Sequence, residues 1–173
     1  MNEKQFMNAV ANGRSDVLQL FLDALARTGA DYCVIGGLAV NAYVEPVVSL
    51  DLDVVVAAGD VAGVCEAAGE VFRVERFPHS INLTSSESDL RIQLQTDPRY
   101  QDFIGRATVR DVLGYQMRVA ALEDVLQGKV WACCDEGRRR SKRQKDLADI
   151  SRLIEAYPEL EGKLPAAVRA LLA

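Results

Sequence analysis

The sequence has few of the side chains on which many metal and acid–base sites depend. It contains one histidine, His79, and its four cysteines include no Cys-x-x-Cys pair. His79 follows a proline in a turn, so we expect it to take no part in metal binding or acid–base chemistry, and we expect the thiols to be reduced. The patterns Gly-Lys-Ser/Thr, Gly-x-Ser-x-Gly and His-Glu-x-x-His are also missing. Sites built on those three motifs are therefore excluded.

Long apolar runs and an excess of positive charge are missing as well. No segment approaches the ~18 consecutive apolar residues of a membrane helix, and the opening MNEKQFMNAV lacks the apolar core of a signal peptide. The 20 Lys and Arg residues against 25 Asp and Glu residues give a net charge of −5. This balance disfavours binding of nucleic acid through overall positive charge. We therefore expect a cytoplasmic protein that makes no membrane contact.

The composition that is present predicts one folded domain over residues 1–173. Hydrophobic residues make up 49% of the chain and charged residues 26%, as in globular proteins. Strands are predicted mostly early and helices mostly late, which favours an α+β domain with helices packed on one mixed sheet. The predicted strands are 31–35, 50–56, 72–77, 80–84, 90–96 and 116–120. The predicted helices are 15–28, 38–43, 57–71, 98–103, 121–134, 142–156 and 165–172.

Two short segments carry the most informative residues. Asp51 and Asp53 are two positions apart in a β-branched strand, so both carboxylates project from the same face. Adjacent acids repel each other unless a cation lies between them, and Mg²⁺ suits such a pair because it binds oxygen ligands and shares them with phosphates. Gly36 and Gly37 form a turn after a strand, where backbone N–H groups can approach an anion. The two segments together predict a site for a metal-bound phosphate compound.

Together these segments resemble the signature of the nucleotidyltransferase superfamily related to DNA polymerase β. The likeness is greatest to its minimal and abortive-infection-type bacterial members, which carry the pattern Gly-Gly-x-Ala … Thr-x-Asp-x-Asp. The matching positions are Gly36, Gly37, Ala39, Ser49, Asp51 and Asp53, with Ser in place of Thr. The later pattern Leu-x-Asp-Leu-x-x-x-Lys … Lys/Arg-Asp-x-x-Asp-Ile resembles residues 122–129 and 145–150. The resemblance covers residues 30–155 and implies a mixed sheet with helices packed on it and a C-terminal helical hairpin.

The resemblance also implies roles for individual residues. It assigns the metal, Mg²⁺, and the catalytic chemistry to Asp51 and Asp53. The nucleotide-binding residues that it implies are Gly36, Gly37, Ser49 and Lys129. On the residues alone, Lys129 fits an exposed helix face equally well, and Asp146 fits either the charged start of a helix or a partner for Lys129 or an arginine.

The sequence departs from the family pattern at the third acid, which family members carry on a later strand. Gln93 stands at the expected position, and a neutral amide supplies neither the charge of a carboxylate nor a general base. Asp89, just before that strand, is the alternative third position. The arginine that commonly precedes Thr-x-Asp by two residues is replaced by Val47. These departures favour nucleotide binding with one metal over fast transfer.

A short basic segment lies near the C-terminus and has six cations in eight positions. They are Arg138, Arg139, Arg140, Lys142, Arg143 and Lys145. A solvated surface is the usual reason for such a run, but its concentration in a protein of negative net charge also indicates an anionic partner. Arg140, Arg143 and Lys145 are the anion contacts that we predict. No aromatic residues alternate with the cations to stack on bases.

Three hypotheses follow from these residues. The first is a protein that binds a nucleoside triphosphate with Mg²⁺ and transfers a nucleoside monophosphate to a hydroxyl of an RNA, a protein or a small molecule. The second is a catalytically inactive nucleotide sensor or a partner-binding module of the toxin–antitoxin kind. The third is an RNA-binding adaptor that acts through residues 138–145.

Overall fold

The computed structural model describes residues 1–173 and contains seven α-helices and seven strands. The helices are α1 (Glu3–Val10), α2 (Val17–Thr28), α3 (Gly36–Val40), α4 (Val61–Ala68), α5 (Leu122–Cys134), α6 (Arg140–Ala156) and α7 (Ala166–Leu172). The strands are β1 (Tyr32–Ile35), β2 (Asp51–Val56), β3 (Arg73–Phe77), β4 (Ser80–Ser85), β5 (Ser88–Gln95), β6 (Thr108–Val112) and β7 (Tyr115–Val119). Short 3-10 helices occupy Ala58–Asp60, Pro98–Arg106 and Pro158–Lys163. None of the helices combines the length and the apolar character needed to cross a lipid bilayer.

All seven strands belong to one mixed sheet in the order β3-β4-β5-β2-β1-β7-β6. The β2–β5 and β1–β7 pairs are parallel, and the other four pairs are antiparallel. The parallel β2–β5 pair lies at the middle of the sheet, and α5 and α6 pack on each other as a helical hairpin after the last strand. The α+β class with helices on one mixed sheet, predicted from the sequence, is confirmed.

Residue alternation on the central strands separates a core face from an open face. On β5, the residues at positions 88, 90, 92 and 94 are buried, whereas those at 89, 91 and 93 are exposed. Leu52 and Val54 of β2 are likewise fully buried, whereas Asp51 and Asp53 are only partly buried. Apolar side chains of the core face join one continuous core of 44 buried residues. The polar residues of β2 and β5 are therefore left together on the other face.

Helix α2 shows how local chemistry sets the helix ends. The side chain of Asp16 accepts a hydrogen bond from the Gln19 backbone N–H at 3.2 Å, and Gly29 ends the helix in the left-handed conformation with φ of 65°. The predicted helix 15–28 thus begins two residues later, at Val17. The Asp16 carboxylate is also held by the Tyr115 hydroxyl, which donates to it at 2.9 Å.

One α-helix and one strand were not predicted. Helix α1 begins at a capping box in which the Asn2 side chain accepts from the Gln5 backbone and the Gln5 side chain accepts from the Asn2 backbone, both at 2.9 Å. Strand β6 forms a hairpin with β7 through Leu113 and Gly114, which both have positive φ, 51° and 83°. Two positive φ values in succession are typical of the tight turns that join hairpin strands.

Candidate active site

The two glycines lie where β1 leads into α3, next to Asp53 on β2. Gly36 has φ of 73°, a backbone conformation open mainly to glycine, and a Cβ there would overlap Oδ2 of Asp53. A Cβ on Gly37 would instead make ordinary contacts, 3.7 Å from both Asp149 Oδ2 and Ser49 Oγ. Gly36 is therefore required by the backbone and by Asp53, whereas the packing around Gly37 would accept a Cβ.

Asp51 is held by two cations, one on each carboxylate oxygen. Arg91 Nε donates to Oδ1 at 2.8 Å, and Lys142 Nζ donates to Oδ2 at 3.1 Å. Burial by itself raises the pKa of the Asp51 carboxyl. The hydrogen bonds and charges of Lys142 and Arg91 outweigh burial and hold that pKa below its ordinary value. Asp51 is therefore ionised at neutral pH.

Asp53 is in the opposite situation, because the charged groups near it act through space and not through a hydrogen bond. Burial raises the pKa of the Asp53 carboxyl above its ordinary value, the positive charge of Lys129 opposes this rise, and the negative charge of Asp51 adds to it. A carboxylate that is removed from water without a hydrogen-bonding partner destabilises the folded chain. Such positions are often functional.

Of the two candidates for the third acidic position, Gln93 lies beside the aspartates. Gln93 is the register partner of Asp53 on the parallel β2–β5 pair, so the two side chains share a face. Asp89 lies at the start of β5, where its Oδ2 accepts a hydrogen bond of 2.6 Å from Asn12 Nδ2. The position next to Asp53 therefore carries an amide, and Asp89 has a partner from the N-terminal part of the chain.

Lys129 is enclosed between two carboxylates of α6. Its Nζ lies 3.2 Å from Asp146 Oδ1 and 2.7 Å from Asp149 Oδ2, and none of the three side chains is more than 7% exposed. Arg138 adds two hydrogen bonds to Asp146, at 2.8 and 2.9 Å, and Arg152 binds the other oxygen of Asp149 at 2.8 Å. Lys129 therefore joins the two helices of the C-terminal hairpin as part of a buried charge network.

Among the three predicted anion contacts of the basic segment, two are engaged inside the chain. Lys145 Nζ lies 3.4 Å from the hydroxyl of Ser49, close to the glycine turn. Arg143 donates to the backbone oxygens of Cys133 and Asp135 at 2.9 and 2.8 Å. Arg143 therefore satisfies carbonyl groups at the end of α5, a common position for arginine, while Lys145 lies near the predicted phosphate turn.

The remaining cations of the basic segment also differ in their surroundings. Arg138 and Lys142 are partly buried and border the cavities around the aspartates. Arg139 and Arg140 are exposed to solvent. The segment is therefore not one uniform cationic surface, because its cations are shared between the site, the helical hairpin and solvent.

Two adjoining cavities meet at Asp53 and Gln93. The first has a volume of about 100 Å³, and residues that line it are Ile35, Gly36, Gln95, Tyr100, Lys129, Arg138 and Asp146. The second has a volume of about 200 Å³ and lies over β2, β5 and β4. Residues that line it are Asp51, Asn82, Thr84, Arg91 and Lys142. Since both cavities contain Asp53 and Gln93, they are two parts of one site.

An aromatic cluster supports the first cavity from outside. Tyr100 packs edge-on against Trp131, with ring centroids 5.1 Å apart, and Phe103 stacks on Trp131 at 5.6 Å. The guanidinium of Arg99 lies 4.9 Å from the centre of the Trp131 ring. Burial raises the pKa of the Tyr100 hydroxyl to about 12, so Tyr100 is neutral at physiological pH. This cavity wall is therefore uncharged and held by aromatic packing.

Solved structures of other proteins share this fold. The antibiotic-resistance factor ANT(2'')-Ia, in complex with adenylyl-2''-tobramycin, superposes with a TM-score of 0.64 at 15% identity, over 91% of this chain and 97% of that one. The lincomycin-bound lincosamide antibiotic adenylyltransferase LnuA superposes with a TM-score of 0.57 at 12% identity, over 82% of this chain and 98% of that one. TM1012 of Thermotoga maritima, described as of the nucleotidyltransferase kind, gives 0.54 at 16% identity, over 76% and 88%. The chain has the nucleotidyltransferase fold.

No protein-family profile and no curated protein matches the sequence. At identities of 12–16%, the resemblance to the solved structures establishes the nucleotidyltransferase fold alone. The chemistry must be argued from the side chains of this chain.

The side chains on the nucleotidyltransferase sheet fit a divalent cation that is shared with a ligand. No group of three or more His, Cys, Asp or Glu side chains is arranged to hold a metal by itself. Asp51 and Asp53 nevertheless provide oxygen ligands on one face, and the Asp53 carboxylate has no hydrogen-bonding partner of its own. Mg²⁺ is commonly held by one or two carboxylates together with substrate phosphates. The donor set fits that kind of binding.

Two residues of the site, Arg91 and Asn82, were not selected from the sequence. Arg91 could have been found, because strict alternation along β5 places it on the same face as Gln93. Asn82 depends on the β4–β5 hairpin register, which puts it opposite Gln93. Its amide oxygen is buried and has no hydrogen-bond partner, a feature that only the folded structure reveals.

Proposed function

We propose that the protein binds a nucleoside triphosphate together with a divalent cation and transfers a nucleoside monophosphate to an acceptor hydroxyl, releasing pyrophosphate. The observation that carries this proposal is the partly buried Asp53 carboxylate, which has no hydrogen-bonding partner and lies between Asp51 and the Gly36 turn. A cation at this position would relieve the cost of keeping two carboxylates side by side. The fold supports the same function, since the ANT(2'')-Ia structure is a complex with adenylyl-2''-tobramycin and LnuA is named a lincosamide antibiotic adenylyltransferase.

The first cavity, of about 100 Å³, has room for one phosphate beside the Gly36 turn, and the rest of the triphosphate would extend out of it. Lys129 and Arg138 line it, and a phosphate there would share both cations with Asp146. Lys145, beside Ser49, adds a third positive charge at the turn. A divalent cation, when bound, would neutralise phosphate charge and polarise the phosphoryl group that is attacked. The chain itself holds and orients the phosphates.

Gln93 bears on the rate of transfer. An acceptor hydroxyl must lose a proton when it attacks, and an amide next to Asp53 cannot accept one. We therefore expect nucleotide binding to be strong relative to transfer. The same residue favours the second candidate function, a nucleotide sensor that binds the triphosphate without transferring any part of it.

The other hypotheses have less support. An RNA-binding adaptor would need free cations, but Arg138, Lys142 and Arg143 are engaged by a carboxylate or by backbone oxygens within the chain. Arg139 and Arg140 remain available to a polyanion. A partner-binding role of the toxin–antitoxin kind rests on the sequence resemblance alone.

Titration calorimetry with ATP, GTP, CTP and UTP, with and without Mg²⁺, tests the proposal. The double variant Asp51→Asn with Asp53→Asn should lose Mg²⁺-dependent binding, because both oxygen ligands lose their charge. Asp23→Asn with Asp102→Asn, at two exposed positions, removes the same charge elsewhere and should bind as the unmodified protein does. Unchanged binding in the first variant would overturn the proposal. Transfer of radiolabel from the bound nucleotide then separates an enzyme from a sensor, since a sensor yields no labelled product.

A further inference from the structure

Beside Asp51 and Asp53, the second cavity presents polar side chains of β4 and β5 to which the proposed triphosphate site gives no role. It lies over β4 and β5, to the side of Gln93, and has a volume of about 200 Å³. Asn82 is opposite Gln93 in the β4–β5 register, and Arg91 is opposite Asp51 in the β2–β5 register. Thr84 lines the same cavity. The side chains of this surface are therefore rich in hydrogen-bond donors.

Arg91 has donors to spare at this surface. Its Nε binds Asp51, and its side chain is 63% exposed. A guanidinium has five N–H donors, so the edge formed by its two terminal nitrogens can still bind a planar or tetrahedral anion. The pairing with Asp51 orients this edge before any ligand arrives, which reduces the entropy that binding would cost.

The local charge also favours an anion. The two cations that line the cavity, Arg91 and Lys142, are balanced by Asp51 and Asp53, so a divalent cation held by the two carboxylates would give the cavity a positive excess. Asn82 adds an amide oxygen that is buried without a partner, which costs about 1–3 kcal/mol; because this oxygen accepts hydrogen bonds, it suits a hydroxyl of the ligand and not its anionic group. With the divalent cation bound, a ligand bearing an ammonium group would be repelled here, whereas a phosphate or carboxylate would be attracted.

We propose that this cavity binds the anionic group, phosphate or carboxylate, of a small hydroxyl-bearing acceptor. This inference rests on the proposed function, since the acceptor hydroxyl would be presented to the site at Asp53. The volume suits a group about the size of one sugar rather than a polymer, because pockets for larger ligands run to about 300–1,000 Å³. The acceptor class is therefore a sugar phosphate or a hydroxy acid, and not a polycation.

The test uses calorimetry and the Nε–H NMR signal of Arg91 in protein saturated with Mg²⁺ and α,β-methylene-ATP. The probes are glycerol 3-phosphate, glycerate, inorganic phosphate, neutral glycerol and cationic tobramycin. We expect an anionic probe to bind at least ten-fold more tightly than glycerol and to shift the Arg91 signal, with glycerol 3-phosphate and glycerate distinguishing phosphate from carboxylate. Arg91→Gln should weaken binding of that probe by about ten-fold or more, as loss of a charge-assisted hydrogen bond does.

The matched control is Arg73→Gln. Arg73 is also a strand arginine with one carboxylate partner, Glu75 at 3.1 Å, and is 78% exposed on β3. The Arg73→Gln variant should bind the anionic probes as the unmodified protein does. Equal affinity for glycerol and the anions, preference for tobramycin, equal loss in both arginine variants, or no probe binding at all would overturn the inference. Tighter binding of an RNA oligonucleotide through Arg91 would also overturn the assignment to a small molecule.

The two proposals fail in different ways. If α,β-methylene-ATP with Mg²⁺ does not bind, the proposed function fails. Titration of the unliganded protein with inorganic phosphate then shows by itself whether the cavity binds anions. If the nucleotide binds but itself shifts the Arg91 signal and excludes inorganic phosphate, the cavity belongs to the triphosphate. That outcome overturns the acceptor assignment while the proposed function stands.

Discussion

Gln93 lies directly opposite Asp53 on two neighbouring parallel strands, and both side chains point to the open face of the sheet. The amide therefore occupies the nearest cross-strand position to a carboxylate that has no hydrogen-bonding partner. A carboxylate at position 93 would raise the repulsion around Asp53 in the absence of a cation and would strengthen cation binding. The identity of this one side chain thus decides how much negative charge the site offers.

The first prediction replaces this amide by an acid. Gln93→Asp should bind Mg²⁺ more tightly and transfer nucleotide faster, by about 10²–10⁴-fold if the new carboxylate acts as a general base. Calorimetry with Mg²⁺ and a radiolabel transfer assay measure the two effects. Ser86→Asp, which adds the same charge in the exposed β4–β5 turn, should change neither. Tighter cation binding without faster transfer would show that position 93 is not near the reacting hydroxyl.

The second prediction concerns stability. Asp53 has a pKa raised by burial, so ionisation of its carboxyl disfavours the folded state; this cost is absent below the ordinary pKa and is fully present above the raised one. The melting temperature of Asp53→Asn should therefore be about 2–4 °C higher at neutral pH, which is the shift that ~1 kcal/mol gives in a domain of this size. Near pH 4 the increase in melting temperature should be smaller. Thermal unfolding at both pH values measures it, with Asp102→Asn as the control. A lower melting temperature at neutral pH would mean that the carboxylate has a stabilising partner.

The third prediction compares the two glycines of the turn. Gly36→Ala should lose about 1–3 kcal/mol of unfolding free energy, because φ is 73° and the new Cβ would overlap Asp53. Gly37→Ala should unfold as the unmodified protein does but bind nucleotide more weakly, since its methyl group would lie beside Ser49 and Lys145, where a phosphate is proposed to approach the turn. Urea unfolding and nucleotide calorimetry separate these effects. Normal nucleotide affinity in Gly37→Ala would move the phosphates away from the turn.

The fourth prediction tests the buried charge network. Lys129→Met should lose about 1–3 kcal/mol of unfolding free energy, because Asp146 and Asp149 keep Arg138 and Arg152 but the buried Oδ2 of Asp149 loses its cation. Lys163→Met is the matched control, since Lys163 pairs with Glu123 at 3.2 Å on the exposed surface and should contribute less than about 1 kcal/mol. Urea unfolding of both variants measures the two losses of unfolding free energy. Unchanged stability with lost nucleotide binding would make Lys129 a phosphate contact only.

The fifth prediction separates nucleotide binding from RNA binding. Arg139→Glu with Arg140→Glu should leave Mg²⁺-dependent nucleotide binding unchanged, because both side chains are exposed and outside the two cavities. We expect weak RNA binding by the unmodified protein, measured by fluorescence anisotropy at two salt concentrations. Tight, salt-sensitive RNA binding that this variant abolishes would favour the adaptor hypothesis.

The sequence was sufficient to predict those features of the fold and the site that depend on neighbouring residues in the chain. The alternation of Asp51 and Asp53 and the glycine pair predict their own backbone, because residues two apart on a strand share a face and a glycine pair marks a turn. Most helices and most strands follow from periodicity for the same reason, although α1 was not predicted. Strand β6 was missed because its turn begins with Leu113, a residue type that rarely takes positive φ.

The contacts of the site were not predictable in the same way. The pairing of Arg91 and Lys142 with Asp51 depends on the parallel β2–β5 register and on the placement of α6, which join residues 40 and 91 positions apart. The enclosure of Lys129 by two α6 carboxylates depends on the packing of the helical hairpin. Long-range register is set by the whole core, so no local pattern contains it.

Trp131 is the only tryptophan in the chain, and it packs against Tyr100, which lines the first cavity. Its indole also lies under the guanidinium of Arg99 and two positions from Lys129 on the same helix. Indole emission responds to nearby charge and packing, so the protein has a built-in fluorophore next to the cavity proposed for phosphates. Nucleotide binding at the first cavity can therefore be followed optically in unlabelled protein, with a signal that arises from one known position.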